Sequence, residues 1–239
     1  MKPKIIIEED KRLLKLLENL FFECGTRAVK RRGIFTVAFS GGLTPVPFFK
    51  TISRFKNNPL WKKTFIFQVD ERYVPKTSVQ SNFRSIQKNF LEPAHFPLQN
   101  VFAMPTESDS PQETAENYAL TLQDEFRVNA ETPPDFDFLL LGVGFDGHTA
   151  SLFPGSEALK ESSKFVVATE QSQTGQPRIS LTLPVINNAE NIGFLITDGP
   201  KSKVVKEILG GQSHLPAAKV LPQKGHLTFF LTPQSAGEV

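Results

Sequence analysis

The 239-residue chain carries a formal net charge of +2, with 39% hydrophobic and 22% charged residues. This composition fits one globular core and gives no electrostatic case for a nucleic-acid or membrane partner. No apolar run approaches the roughly 20 residues that a bilayer span needs, and no basic-then-apolar leader opens the chain, so the expectation is a cytoplasmic protein. Cys24 is the single cysteine, which excludes an intramolecular disulfide and a thiolate metal cluster.

From the N-terminus, residues 4–7 read as a short edge-like strand and 10–30 as a long amphipathic helix. Leu13, Leu16, Leu17, Leu20 and Phe21 recur at helical spacing ahead of Cys24, which makes that thiol a core residue rather than a nucleophile. Lys30, Arg31 and Arg32 read as a solvated helix end, where cations complement the dipole. Buried strands are expected at 35–39, 65–69, 138–143, 165–168, 192–196 and 227–231. Helical patterns fall between several of them, at 45–55, 81–91, 113–127 and 201–209. Such alternation implies a mainly parallel sheet with helices on both faces. The Pro-rich connectors at 94–97 and 132–134 are too short for a domain linker, and no repeat is visible, so one domain spans 1–239.

In open α/β sheets ligands bind outside the carboxyl ends of the strands, and four such junctions carry unusual polar chemistry here. The first is Ser40-Gly41-Gly42-Leu43-Thr44-Pro45, with Thr44 suited to an N-cap and Pro45 to the first helical position. It reads equally as an anion cradle and as a tight turn that needs glycine. The second is Asp70-Glu71-Arg72, followed by Ser81-Asn82-Phe83-Arg84 at a helix start. Phe83, Ile86 and Phe90 mark the buried stripe, which leaves Arg84 free to face a cleft, although the triplet alone is better read as a surface salt bridge.

The third junction, Asp198-Gly199-Pro200-Lys201, puts a lysine in a first helical turn, where the dipole disfavours a cation and a bound anion would offset it, while the plainer reading is a solvated lysine on a flexible turn. The fourth runs from Gly142 to Ser151 and delivers Asp146 and His148 side by side. A histidine suits general-base work near neutrality, and a neighbouring carboxylate orients its ring. His95, His214 and His226 have no comparable glycine frame.

The same segment offers two other readings. Gly142-Val143-Gly144-Phe145-Asp146-Gly147 fits G-x-G-x-x-G after a strand, with Glu170 near the distance of a ribose contact. Against a nicotinamide site, Pro154-Gly155 interrupts the helix that should follow, and His148-Thr149 replaces small packing residues. An Asp146-x-His148 metal pair helped by Asp135 or Asp137 is the other reading, but Asp137 starts its strand on the opposite edge, and no adequate ligand set is present.

Taken together, Ala38-Phe39-Ser40-Gly41-Gly42, Asp70-Glu71-Arg72 with Ser81-Asn82-Phe83-Arg84, the run from Asp135 to Gly155, and Arg178-Ile179-Ser180-Leu181-Thr182-Leu183-Pro184 resemble the 6-phosphogluconolactonase family. That family lies within the larger glucosamine-6-phosphate isomerase/deaminase superfamily. Weaker echoes occur at Gly199-Pro200-Lys201 and Leu215-Pro216-Ala217-Ala218, so the resemblance spans nearly the whole chain. It implies a three-layer α/β/α fold and a carboxylic ester hydrolase that opens 6-phospho-D-glucono-1,5-lactone with water, in the oxidative pentose phosphate pathway. The related deaminases carry a glutamate in Ile-Ala-Phe-Asn-Glu-Pro-Gly, whereas Thr149-Ala150-Ser151-Leu152-Phe153-Pro154-Gly155 has none, which favours lactone hydrolysis. Leu43 stands where the lactonase pattern has a serine.

On this resemblance His148 is the general base and Asp146 its orienting carboxylate. Ser40, Gly41, Gly42, Thr44, Asp70, Arg72, Arg84, Gly144 and Lys201 form the substrate- and phosphate-facing set. No cofactor or metal is required, and the partner is a sugar-phosphate lactone met by a monomer or small homo-oligomer. Two alternatives on the same fold are an amino-sugar deaminase or sugar-phosphate isomerase, and a non-catalytic sugar-phosphate sensor. The sensor normally carries a helix-turn-helix segment, for which the chain has no spare length.

Overall fold

In the computed structural model, which describes residues 2–171, 174–211 and 213–237, the strands form two sheets rather than one. In chain order the elements are β1 (Lys4–Ile7), α1 (Asp10–Arg32), β2 (Phe35–Phe39), α2 (Val46–Ile52), β3 (Thr64–Gln68), β4 (Asp70–Arg72), α3 (Asn82–Ile86), α4 (Glu92–Ala94) and β5 (Val101–Phe102). Then follow α5 (Pro111–Phe126), β6 (Phe138–Leu141), β7 (Val166–Glu170), β8 (Pro177–Leu181), α6 (Leu183–Asn187), β9 (Asn191–Ile196), α7 (Ser202–Leu209), β10 (His226–Leu231) and α8 (Pro233–Ala236).

Among the described residues the large sheet has the order β1-β10-β9-β6-β2-β3-β5, and every pairing in it is parallel. Its central strands β2, β6 and β9 are buried at every residue, which is why they read as unbroken apolar runs. The edge expected at 4–7 is β1, with Ile5 and Ile7 each 41% exposed. Side chains alternate between two cores as the strand period requires. Phe138 and Leu140 join Val37, Phe39 and the α1 face in one, while Leu139 and Leu141 join Ala38, Phe194 and the α5 face in the other. The result is the three-layer α/β/α arrangement.

Phe21 of α1 centres the first core, within 5.2 Å of the Phe35 ring and 5.7 Å of Phe138. Cys24 lies buried on the same helix, as expected. The basic triplet closes α1 ahead of Gly33, but two of its members have a further role. Arg31 and Arg32 reach Asp137 at 3.3 and 2.6 Å, and Thr36 N–H donates to that carboxylate at 2.7 Å. Asp137 therefore staples the amino ends of β2 and β6, at the edge away from His148.

The run expected at 165–168 is a strand, β7, but it belongs to a separate antiparallel sheet ordered β4-β8-β7. Its partners escaped the apolar reading because β4 is Asp-Glu-Arg and β8 opens on Pro177-Arg178. The helix expected from 45 starts at Val46 with Pro45 in the N-cap position, so Thr44 sits in the preceding turn and does not cap it. At 81–91, Ser81 caps α3 through its Oγ, and a π-helical turn at Gln87–Leu91 leads into α4.

Candidate active site

The chain reverses its direction of travel once across the large sheet. From β2 it proceeds through β3 to β5, and from β6 through β9 to β10, so β2 and β6 lie side by side with loops that leave in opposite senses. Such a reversal opens a crevice beyond the carboxyl ends of the strands. Ser40 N–H donates to Leu140 O at 2.9 Å and ties the bases of the two loops together. A pocket of about 220 Å³ occupies the crevice, walled by the 40–45 loop, the loop after β6, Arg72, Arg178 and Lys201.

In the loop after β6, His148 Nδ1 lies 2.5 Å from Asp146 Oδ1, and the same oxygen accepts the His148 backbone N–H at 3.1 Å. One carboxylate oxygen thus fixes both the ring and its backbone, while the Phe153 ring packs on the imidazole with centroids 4.8 Å apart. Gly144 makes this pairing possible, since a Cβ there would overlap the His148 ring and Asp146 Oδ1. Ala150 holds a left-handed φ of 51°, a strained state for a residue with a side chain. Bonds on either side pin it: Thr149 Oγ1 to Gly142 O at 2.9 Å, and Ser151 Oγ to Asp70 Oδ2 at 2.8 Å.

The same pocket has a cationic lining. Arg72 and Arg178 are register partners across β4 and β8. Burial, and secondarily the Arg72 charge, push the Arg178 guanidinium below its ordinary value, opposed by Asp70 and Glu71. Like charges placed opposite each other cost stability, and an anion between them removes that cost. Lys201, only 9% exposed, pairs with Asp198 at 2.8 Å and lies 5.5 Å from the Phe145 ring centroid. Among the described residues, the buried atoms Ser40 Oγ, Asn82 Oδ1 and Arg178 Nε have no hydrogen-bond partner, and all three residues line this pocket. Buried polar groups are rarely left orphaned, so their convergence marks a place prepared for a polar ligand.

Most of the expected site residues meet here: Ser40, Gly41, Gly42, Thr44, Asp70, Arg72, Gly144, His148 and Lys201 all line the pocket, and Asp146 stands behind His148. Arg84 does not line it. Asn82 is the helical residue that does, and two residues further along, about 200° round the helix, Arg84 is carried away from the cleft. Arg178 stands outside the expected set. Its arginine type was visible in the chain, but its role depends on the antiparallel pairing that sets it against Arg72.

Asp70 has its carboxylate engaged by Ser151, with the Asn82 amide at 3.4 Å. Glu71, 1% exposed, corrects the surface salt-bridge reading of its triplet. It accepts the backbone N–H groups of Arg72, Asn82 and Phe83 at 2.8, 2.7 and 2.8 Å, together with Gln68 and Ser81 side chains. Burial pushes its carboxyl pKa up, and those donors oppose the shift. The carboxylate docks α3 so that Asn82 abuts Gly41, where a Cβ would overlap it.

The dinucleotide pattern at 142–147 lacks its structural context. No helix follows it: the chain turns at Thr149–Leu152 and next forms only a 3-10 turn at Glu157–Lys160, and Glu170 ends β7 in the small sheet.

Comparison with known proteins gives a consistent picture. Residues 8–229 match the family model described as glucosamine-6-phosphate isomerases/6-phosphogluconolactonase. A 6-phosphogluconolactonase of Synechocystis is 38% identical over 216 residues, covering 89% of this chain and 88% of the relative. A relative from Nostoc bearing the same name is 34% identical, with shares of 89% and 88%. Among solved structures, a 6-phosphogluconolactonase from Thermotoga maritima superposes with a TM-score of 0.83 at 28% identity, over 97% of this chain and 100% of that one.

Proposed function

This chain belongs to the glucosamine-6-phosphate isomerase/6-phosphogluconolactonase family, and from that premise we propose that its pocket hydrolyses 6-phospho-D-glucono-1,5-lactone to 6-phospho-D-gluconate. The observation that carries the reading is one pocket lined both by an Asp146-oriented imidazole and by the Arg72, Arg178 and Lys201 cations.

With Nδ1 held by the Asp146 carboxylate, Nε2 is the free base of His148. It takes a proton from water as the water oxygen bonds to the lactone carbonyl carbon. The tetrahedral adduct then collapses, the bond to the ring oxygen breaks, and the imidazolium returns its proton to that oxygen. Asp146 stabilises the imidazolium between the two transfers. At the far end, Arg72, Arg178 and Lys201 bind the phosphate with the 40–42 loop, and Asn82 Oδ1 accepts a sugar hydroxyl. Holding the non-reacting end orients the carbonyl against the base. Asp70 acts on the site through Ser151 and Asn82 rather than as a direct ligand.

On the same reading the enzyme is one cytosolic domain over residues 1–239 without a nucleic-acid partner. No helix among the described residues is long and apolar enough to cross a membrane. The test is a coupled assay with freshly generated 6-phosphogluconolactone, corrected for spontaneous hydrolysis. Turnover well above that background is expected, and rapid ammonia release from glucosamine 6-phosphate in its place would overturn the assignment.

A further inference from the structure

At the amino ends of β1, β9 and β10, the end of the sheet away from the catalytic pocket, a cleft of about 400 Å³ lies between α1 and the strands. In register, His226 stands beside Asn191 and Thr228 beside Lys4, and their side chains share the face that Ile6 and Phe230 turn toward α1. On the helix side Leu16, Leu20, Glu23 and Arg27 recur three or four residues apart, a stripe beside the buried one of Leu17, Phe21 and Cys24. The volume falls within the range of small-molecule sites, about 300–1,000 Å³.

Two buried oxygens on the floor of this cleft are unpaired. Thr228 is 6% exposed and Asn191 4%. Among the described residues neither the Thr228 hydroxyl nor the Asn191 side-chain carbonyl has a hydrogen-bond partner, although the Asn191 amide donates to Asp137 O at 2.9 Å. Buried polar groups are normally paired, so these two mark a place for a polar ligand edge. The rim is cationic, with Lys2, Lys4, Arg27 and His226 all exposed. None of the two ammoniums and the Arg27 guanidinium has a carboxylate within ion-pairing distance among the described residues. Arg27 reaches only the Cys24 sulfur, at 3.5 Å.

We propose that this cleft is a second ligand site, which binds an adenine nucleoside monophosphate. The phosphate meets Lys4, Arg27 and His226 at the rim. The base lies between the apolar side chains of Leu16 and Leu20 on the helix and of Ile6 and Phe230 on the sheet. At its inner edge the exocyclic amine donates to the Asn191 oxygen, and the adjacent ring nitrogen accepts from the Thr228 hydroxyl. Glu23, the one carboxylate lining the cleft among the described residues, accepts a ribose hydroxyl. A fatty acid matches the cations and the apolar walls, but its tail leaves both floor oxygens unpaired, so the floor selects a ligand with a polar inner end.

Isothermal titration calorimetry of the full chain with adenosine 5′-monophosphate is expected to show one saturable site with a Kd below about 1 mM. Adenosine lacks the anion, inorganic phosphate lacks the body and decanoate lacks the polar inner end, and each should bind at least about tenfold more weakly. Thr228→Val keeps the side-chain shape without the hydroxyl and should weaken the nucleotide about fivefold, and Arg27→Glu about tenfold or more. Should Thr228→Val fail to fold, the exposed positions carry the test through Arg27→Glu and Lys4→Glu. Arg178→Ala, which disrupts the catalytic pocket, should leave nucleotide affinity unchanged. Three results overturn the proposal: no saturable binding of the nucleotide at millimolar concentration, affinity that is lost in Arg178→Ala yet kept in Arg27→Glu, or decanoate binding more tightly than the nucleotide.

Discussion

Arg72 and Arg178 stand opposite each other across the β4–β8 ladder, two guanidiniums in register with no carboxylate within ion-pairing distance of either among the described residues. Such a pair is favourable only once an anion lies between its members. Arg178→Ala and Arg72→Ala are each expected to raise KM for the phosphorylated lactone by about tenfold or more, ~1.4 kcal/mol of lost binding, with kcat much less affected. Inorganic phosphate should raise the Tm of the wild type and have little effect on either variant. Steady-state kinetics and differential scanning fluorimetry check the two halves. A pure kcat loss would contradict the phosphate role.

Arg84 supplies the internal control. Because it does not line the pocket, Arg84→Ala is expected to leave KM within about twofold of the wild type, a surface-type effect. A KM rise matching that of Arg178→Ala would return Arg84 to the phosphate cradle.

His148→Ala should lower kcat by about 10²- to 10⁴-fold with the fold retained, the range that general-base catalysis supplies. Gly144→Ala reaches the same outcome without touching a titratable group, because its Cβ would take the space of the imidazole and of Asp146 Oδ1. The measurement is kcat together with the circular dichroism spectrum. A fully active Gly144→Ala enzyme would show that the close pairing is dispensable.

Burial pushes the Cys24 thiol up to about 11, partly offset by the Arg27 guanidinium. The reactive thiolate is thus scarce at pH 8 in the native protein, and reaction with a disulfide reagent is expected to be slow there and fast in denaturant. Rapid native labelling would mean that α1 opens readily.

The Glu161 carboxylate is held down to about 2, chiefly by the backbone N–H groups of Lys164 and Ser163 that it accepts. A carboxylate depressed by folding adds stability above its ordinary pKa of 4.5, and loses it as pH falls toward 2. Glu161→Gln is expected to lower Tm slightly at pH 7, with the gap to the wild type closing below pH 4. Thermal scans over that interval check it, and a gap that widens in acid would contradict the sign.

Much of the architecture was legible in the chain because a parallel sheet covered on both faces demands unbroken apolar strands, as in Phe138-Leu139-Leu140-Leu141. The antiparallel sheet was not, for the opposite reason. β4 is buried through the hydrogen bonds of Glu71 rather than through apolar side chains, so its Asp-Glu-Arg sequence reads as surface. The pairing of His148 with Asp146 was readable from their spacing within a glycine-rich loop. Arg178 was not, since what sets it apart is a cross-strand neighbour more than a hundred positions away.

Only Val69 separates β3 from β4, and it is bonded on both sides, its N–H to Phe39 O at 3.0 Å and its carbonyl to Leu181 N–H at 2.9 Å. The parallel sheet whose loop carries His148 and the antiparallel sheet that carries the two arginines are therefore joined by backbone rather than by a hinge. The span from the loop after β6 to the β4–β8 ladder works as a ruler, set by backbone hydrogen bonds. Phosphorylated lactones one carbon shorter or longer should still dock by their phosphate, with the carbonyl out of step with the base and turnover lost more than affinity.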